Sequence, residues 1–128
     1  AHNPHAASAL AQNLGNMGFH PYTYAVFGVM QDKDIAGVIA PMAQYIDHWC
    51  IAELPSPRSA HTEALAQTIA GLAPKDAKPG ERSVTAFADP AAAFANAMSR
   101  AGENDRIVVF GSFYTVAGVM AARKTSFH

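Results

Sequence analysis

Apolar and polar positions change in blocks along this chain. Four short runs rich in Val, Ile, Phe and Tyr recur at residues 22–27, 49–54, 83–87 and 106–110. Each is predicted as a strand, because β-branched and aromatic side chains suit a pleated surface. Their apolarity is nearly continuous, which predicts burial on both faces, as in a parallel sheet. Ala- and Leu-rich stretches long enough for helices occupy residues 4–17, 34–45, 59–72, 90–101 and 115–122. Pro4 suits a first helical position, and Asp89 before Pro90 reads as an N-cap. Gly15, Gly18, Gly71 and Gly102 fall near predicted helix ends, where a left-handed cap is cheap for glycine. The order is one helix followed by four strand–helix units. It predicts a single α/β domain over residues 1–128, with an open, mostly parallel Rossmann-like sheet, helices on both faces and right-handed crossovers. The first helix lacks a preceding strand, which is expected upstream of Ala1. Residues 73–82, polar and carrying Pro74, Pro79 and Gly80, read as an exposed loop within the domain.

Composition narrows the partners. A chain of 128 residues, half of them apolar, can bury one core. A net charge of −1 with neutral histidines argues against nucleic acid or an anionic membrane, both of which favour basic patches. No apolar run approaches the roughly 18 residues that would span a bilayer. The start has neither an initiating Met nor the basic and apolar regions of a signal peptide, so the chain reads as part of a longer protein. Cys50 is the only cysteine and sits in an apolar run. A buried, inert thiol in a cytosolic setting is expected.

The polar residues gather after the strands. In open α/β sheets ligands bind at the carboxyl ends of the strands, and four segments take such positions: His2-Asn3-Pro4, Gly28 to Asp34, Pro55-Ser56-Pro57-Arg58, and Gly111-Ser112-Phe113-Tyr114. In the second, Gly28 permits close backbone approach, and Lys33 stands just before a helix whose amino end favours anions. Lys33 there can hold a carboxylate or phosphate as a point charge. Alternatively, Asp32-Lys33-Asp34 is a solvated, capped helix start. In the fourth, the Ser112 hydroxyl and free backbone N–H groups make a carboxylate cradle or a simple N-cap. His2 and Asn3 can bond a ligand edge, or Asn3 caps the first helix. Arg58 can clamp an anion or remain an exposed loop arginine.

Several chemistries are excluded. The six histidines show no zinc spacing, and neither His-Glu-x-x-His nor a second cysteine occurs. Gly-x-Gly-x-x-Gly, the Walker A loop and the Gly-x-Ser-x-Gly elbow are all absent. A self-contained metal, dinucleotide or hydrolase site is not expected.

Taken together, the segments resemble a known family. Ala1-His2-Asn3-Pro4-His5-Ala6-Ala7 is similar to the Asp-x-Ala-His-Asn-Pro motif of folylpolyglutamate and dihydrofolate synthases. Phe27-Gly28-Val29-Met30-Gln31-Asp32-Lys33-Asp34 resembles their Phe-Gly-x-x-x-Asp-Lys-Asp loop. Pro57-Arg58-Ser59-Ala60 and Phe110-Gly111-Ser112-Phe113-Tyr114 resemble their Pro-Arg-x-Ala and Gly-Ser-x-Tyr elements. These enzymes belong to the Mur ligase superfamily, and the resemblance is to its carboxy-terminal domain. It implies an ATP-dependent ligase in which a carboxylate of dihydropteroate or folate is phosphorylated and glutamate's amine displaces phosphate. Lys33 and Ser112 would hold glutamate carboxylates, His2 would orient glutamate, and Asn3 would lie on the nucleotide side. Asp32, Arg58 and Tyr114 would lie in the cleft.

The resemblance further implies that ATP and Mg2+ are bound mainly by an amino-terminal P-loop domain, the expected partner. This segment would be cytoplasmic, monomeric, without catalytic residues or metal ligands of its own, and inactive alone. The competing reading is a non-catalytic α/β ligand-binding or docking module.

Overall fold

A computed structural model describes residues 8–9, 11–12, 22–72, 83–112 and 115–120. Four strands form one sheet: β1 (Thr23–Phe27), β2 (His48–Ala52), β3 (Ser83–Phe87) and β4 (Arg106–Phe110). They lie in the order β3-β2-β1-β4, and every pairing is parallel. Three helices join them: α1 (Ile35–Ile39), α2 (Thr62–Leu72) and α3 (Pro90–Arg100). Residues 115–120 are also helical, as are the described residues of the first predicted helix. The expected parallel α/β sheet with helices on both faces is what the chain forms.

Strand alternation sorts the core into two layers. Ala25, Phe27, Trp49 and Ile51 face one way and pack with Val38 and Ile39 of α1 and Leu65 and Ile69 of α2. Tyr24, Val26, Cys50 and Ala52 face the other way and pack with Ala93 and Ala97 of α3 and with Val119. In the first layer Phe27 stacks on Phe110 at 4.8 Å between centroids and meets Trp49 edge-on at 5.8 Å. Such tilted arrangements are the ones the ring quadrupoles favour.

The burial of the strands corrects one expectation. β1 is buried throughout and β2 nearly so, but Val84 and Ala86 of β3 are exposed and most of β4 is only half-buried. Similar apolar runs have different fates because strand order places β1 and β2 centrally and leaves β3 and β4 at the edges.

Two predicted helices are shorter than expected. The run at 34–45 yields only α1, followed by turns to Tyr45. Pro41 has no N–H to donate to the preceding turn, so the ladder is interrupted there and the chain goes on as turns, with Ala43 N still donating to Ile39 O at 3.0 Å. The run at 59–72 becomes helical only at Thr62, because Ser59 is engaged in the loop before it. Asp89 does cap α3, accepting from Ala92 N at 2.8 Å, with Pro90 in the first turn.

The glycines correct a further expectation. Neither Gly71 nor Gly102 is left-handed, since Gly111 alone among the described residues has a positive φ. Gly102 instead approaches Asp105 closely, donating its N–H to that carboxylate at 2.7 Å.

Chain order and strand order together place the site. The chain runs β1 to β2 to β3 outwards, then returns over the sheet through α3 to β4 on the far side of β1. The direction of winding reverses between β1 and β4, and ligands of open α/β sheets sit outside the carboxyl ends at such a point.

Candidate functional site at the carboxyl edge of the sheet

Three of the four polar segments singled out in the sequence follow β1, β2 and β4 at one edge. The segment after β1 crosses the one after β2 and is tied to it by backbone. Gln31 N donates to Arg58 O at 2.8 Å, Ala60 N donates to Val29 O at 2.8 Å, and Met30 bridges Ser59 in antiparallel fashion. Ser59 is buried, and its hydroxyl accepts from Leu54 N at 2.8 Å and donates to Ala60 O at 3.1 Å. The loop after β2 is thereby fixed from inside. The sequence reading passed over this role of Ser59; its place in a Pro-Ser-Pro-Arg-Ser turn was the available signal.

The segment after β4 meets β1 just as closely. Gly111 has φ +113°, and a Cβ placed on it would lie 2.3 Å from the Gly28 carbonyl oxygen. Gly28 is equally confined, since its own Cβ would meet Ala52 O at 2.9 Å. Both positions require glycine, and the ends of β1 and β4 abut in consequence. The buried Thr115 hydroxyl donates to Gly28 O at 2.7 Å.

The charged residues of this edge divide by partner. Asp34 caps α1, accepting from Gly37 N at 3.1 Å. Asp32 forms a salt bridge with Arg58 at 2.5 Å, both side chains being well exposed. Lys33 is exposed and has no ion-pair partner among the described residues. Of the Asp-Lys-Asp triplet, then, the two aspartates serve the loop's own structure and the lysine projects from it.

The Arg58 guanidinium pairs with Asp32 across the two loops. An exposed pair of this kind contributes about 0–1 kcal/mol. At the amino end of α1, a helix of five residues, the Asp34 carboxylate takes the Gly37 N–H. Ser112 is buried, and its carbonyl accepts from Thr115 N at 3.1 Å and Val116 N at 3.2 Å, so the chain turns into the last helix there. His2, Asn3 and Tyr114 lie outside the described residues. Among the described residues no group of three or more His, Cys, Asp or Glu is placed to hold a metal ion, and no helix is long and apolar enough to cross a membrane.

The titrating groups with displaced pKa values belong to the sheet's interior and its opposite edge. Burial pushes the Cys50 thiol up, which keeps it an inert thiol. Burial, then the Arg100 guanidinium, hold His48 below the usual histidine range, against smaller opposing effects of Asp47 and Asp105. The His48 ring lies 4.8 Å from that of Tyr24, and its Nδ1 is 2.8 Å from Ser83 Oγ.

A folded-state pKa below the unfolded value means that the unfolded chain takes up a proton first. Stability is therefore expected to be level above about pH 6.5 and to fall as the pH drops from there towards the lowered His48 value. Melting temperatures of wild type and His48→Gln between neutral and mildly acid pH check this. The substituted chain is expected to lose part of the acid-side decline, and parallel profiles would remove His48 from that role.

Comparison with known proteins places this geometry. The Mur ligase glutamate ligase domain model matches residues 1–113. The chain is 36% identical over 120 residues to the dihydrofolate synthase/folylpolyglutamate synthase of Escherichia coli K12, covering 94% of this chain and 26% of that protein. It superposes on the solved structure of E. coli FolC in complex with DHPP and ADP with TM-score 0.86 and 34% identity, over 100% of this chain and 28% of that one. A bifunctional folylpolyglutamate synthase/dihydrofolate synthase solved with Mn, AMPPNP and L-glutamate bound gives TM-score 0.79 and 38% identity, over 97% of this chain and 27% of that one. The chain spans about a quarter of the length of the curated relatives it matches.

Proposed function

The chain belongs to the Mur ligase glutamate ligase domain family, and on that premise we propose that it is the carboxy-terminal domain of an ATP-dependent amide ligase adding L-glutamate to dihydropteroate, to folate, or to both. The observation that carries this reading is similarity along nearly the whole chain to dihydrofolate synthase/folylpolyglutamate synthases, 94% of it in the E. coli case. The edge geometry supports it. An exposed lysine on the loop after β1 suits a substrate carboxylate, to which it can make a charge-assisted contact.

In this reading a carboxylate of the pteroate or folate substrate takes the terminal phosphoryl group of ATP, releasing ADP. The glutamate amine attacks the resulting acyl phosphate, and inorganic phosphate leaves as the amide forms. The role of this chain is to hold glutamate. Lys33 pairs with one of its carboxylates, and the Ser112 turn receives glutamate beside it. His2 orients the amine and Asn3 lies on the nucleotide side. Asp32 and Arg58 brace the loop that carries Lys33.

The described residues offer no donor set for a divalent cation, and the sequence has no Walker A loop. In this reading ATP and Mg2+ would be held mainly by a P-loop domain elsewhere in the same protein. A cytoplasmic monomer completes the reading.

The test is phosphate release by the full-length protein. It is expected to require glutamate and a pteroate or folate carboxylate together. Equal turnover with other amino acids, or without the folate-type substrate, would overturn the reading. The 128-residue chain alone is expected neither to hydrolyse ATP nor to ligate glutamate, and phosphate release above background from a pure sample would contradict that.

A further inference from the structure

Thr115 joins the two halves of the candidate site. It is fully buried, and its hydroxyl donates to the carbonyl of Gly28, 87 residues away in sequence, at 2.7 Å. Its own amide donates to the Ser112 carbonyl at 3.1 Å. One residue therefore bonds the first position after β1 through its side chain and the turn after β4 through its backbone. Gly28 is itself buried and lies past the end of the strand ladder. Its carbonyl oxygen sits between the Thr115 hydroxyl and the backbone of Gly111, whose added Cβ would fall 2.3 Å from it.

We propose that Thr115 is a positioning residue for glutamate use: its hydroxyl fixes the start of the Lys33 loop against the Ser112 turn. This rests on the glutamate reading above. A loop allowed to shift by even about an ångström can lose much of the effect of an oriented contact. The Thr115 bond ties the Lys33 loop to the β4 turn, whereas the Asp32–Arg58 pair ties the same loop to the one after β2. Thr115→Val keeps the shape and removes the hydroxyl that the buried Gly28 carbonyl accepts from. Thr115→Ser keeps the donor and removes a methyl group.

The experiment uses the full-length protein with both variants. For Thr115→Val the glutamate KM is expected to rise roughly tenfold while the ATP KM stays within about twofold. For Thr115→Ser the glutamate KM is expected to stay within about twofold of wild type. Amide hydrogen exchange without substrate provides a second, substrate-independent readout. Exchange in residues 28–34 is expected to quicken in the valine variant relative to β1, and to return towards wild type in the serine variant.

A valine variant with lowered melting temperature and unchanged glutamate KM would make Thr115 merely structural. Should the valine protein not fold, the serine variant decides: a raised glutamate KM there overturns the proposal, and a preserved one supports it. If the wild-type protein does not use glutamate, the function proposed above falls. Unchanged exchange in residues 28–34 on loss of the hydroxyl would instead sink the Thr115 tie itself.

Discussion

Gly111→Ala is expected to destabilise the chain by roughly 2–5 kcal/mol, combining left-handed backbone strain with overpacking. The residue has φ +113°, and the added methyl carbon would lie 2.3 Å from Gly28 O and 2.8 Å from the Phe27 ring. The ring could turn, but the carbonyl cannot withdraw, because it belongs to the chain just past a fully buried strand. Relief would need β1 and β4 to part at their carboxyl ends, opening the Phe27–Phe110 contact. Gly71→Ala is the control. Nothing lies within 4 Å of its added Cβ, it sits in the last turn of α2, and alanine there is expected to be neutral or stabilising by about 0.5–1 kcal/mol. Urea unfolding of the two variants beside wild type checks both. A Gly111→Ala midpoint indistinguishable from wild type would mean that the seam between β1 and β4 is loosely packed.

Lys33→Ala in the full-length protein is expected to raise the KM for glutamate by roughly 10- to 150-fold and to leave the KM for ATP nearly unchanged. A hydrogen-bonded contact to a charged group is worth about 1.5–3 kcal/mol, which corresponds to that range. The expectation falls on Lys33 because the structure engages its neighbours: Asp32 with Arg58, and Asp34 with the first turn of α1. Removing Lys33 breaks no ion pair among the described residues, so stability is expected to change little. Steady-state kinetics with each substrate varied in turn make the measurement. A raised ATP KM with glutamate unaffected would move Lys33 to the nucleotide side.

The parts of this fold that were legible in the sequence are those set by local pattern. Dense Val, Ile and Phe runs between Ala-rich stretches marked β1 and β4 to within a residue. The Asp89-Pro90 pair marked the start of α3. What the pattern could not give was position across the sheet. Ser83 to Phe87 reads much like the other strands, but its burial was decided by the crossover that put it at an edge. α1 was overextended because the apolar periodicity continues past Pro41 while the hydrogen-bond ladder is interrupted there.

In the site, Gly28 and Gly111 were legible because glycine after a strand is a strong local mark of close approach. The Asp32–Arg58 pair spans 26 residues and the Thr115–Gly28 bond 87. Such contacts exist only once the strands are ordered. A threonine at a helix start carries no local sign that its hydroxyl reaches another strand.

The central claim is that glutamate binds at the carboxyl edge, between β1 and β4. Its most direct test is amide hydrogen exchange on the full-length protein, held with a non-hydrolysable ATP analogue and the folate-type substrate, before and after glutamate is added. Glutamate is expected to protect residues 28–34 and 111–116 while leaving the opposite edge around Tyr22, His48 and Asp105 unchanged. Protection at that opposite edge, or none anywhere in this chain, would contradict the claim.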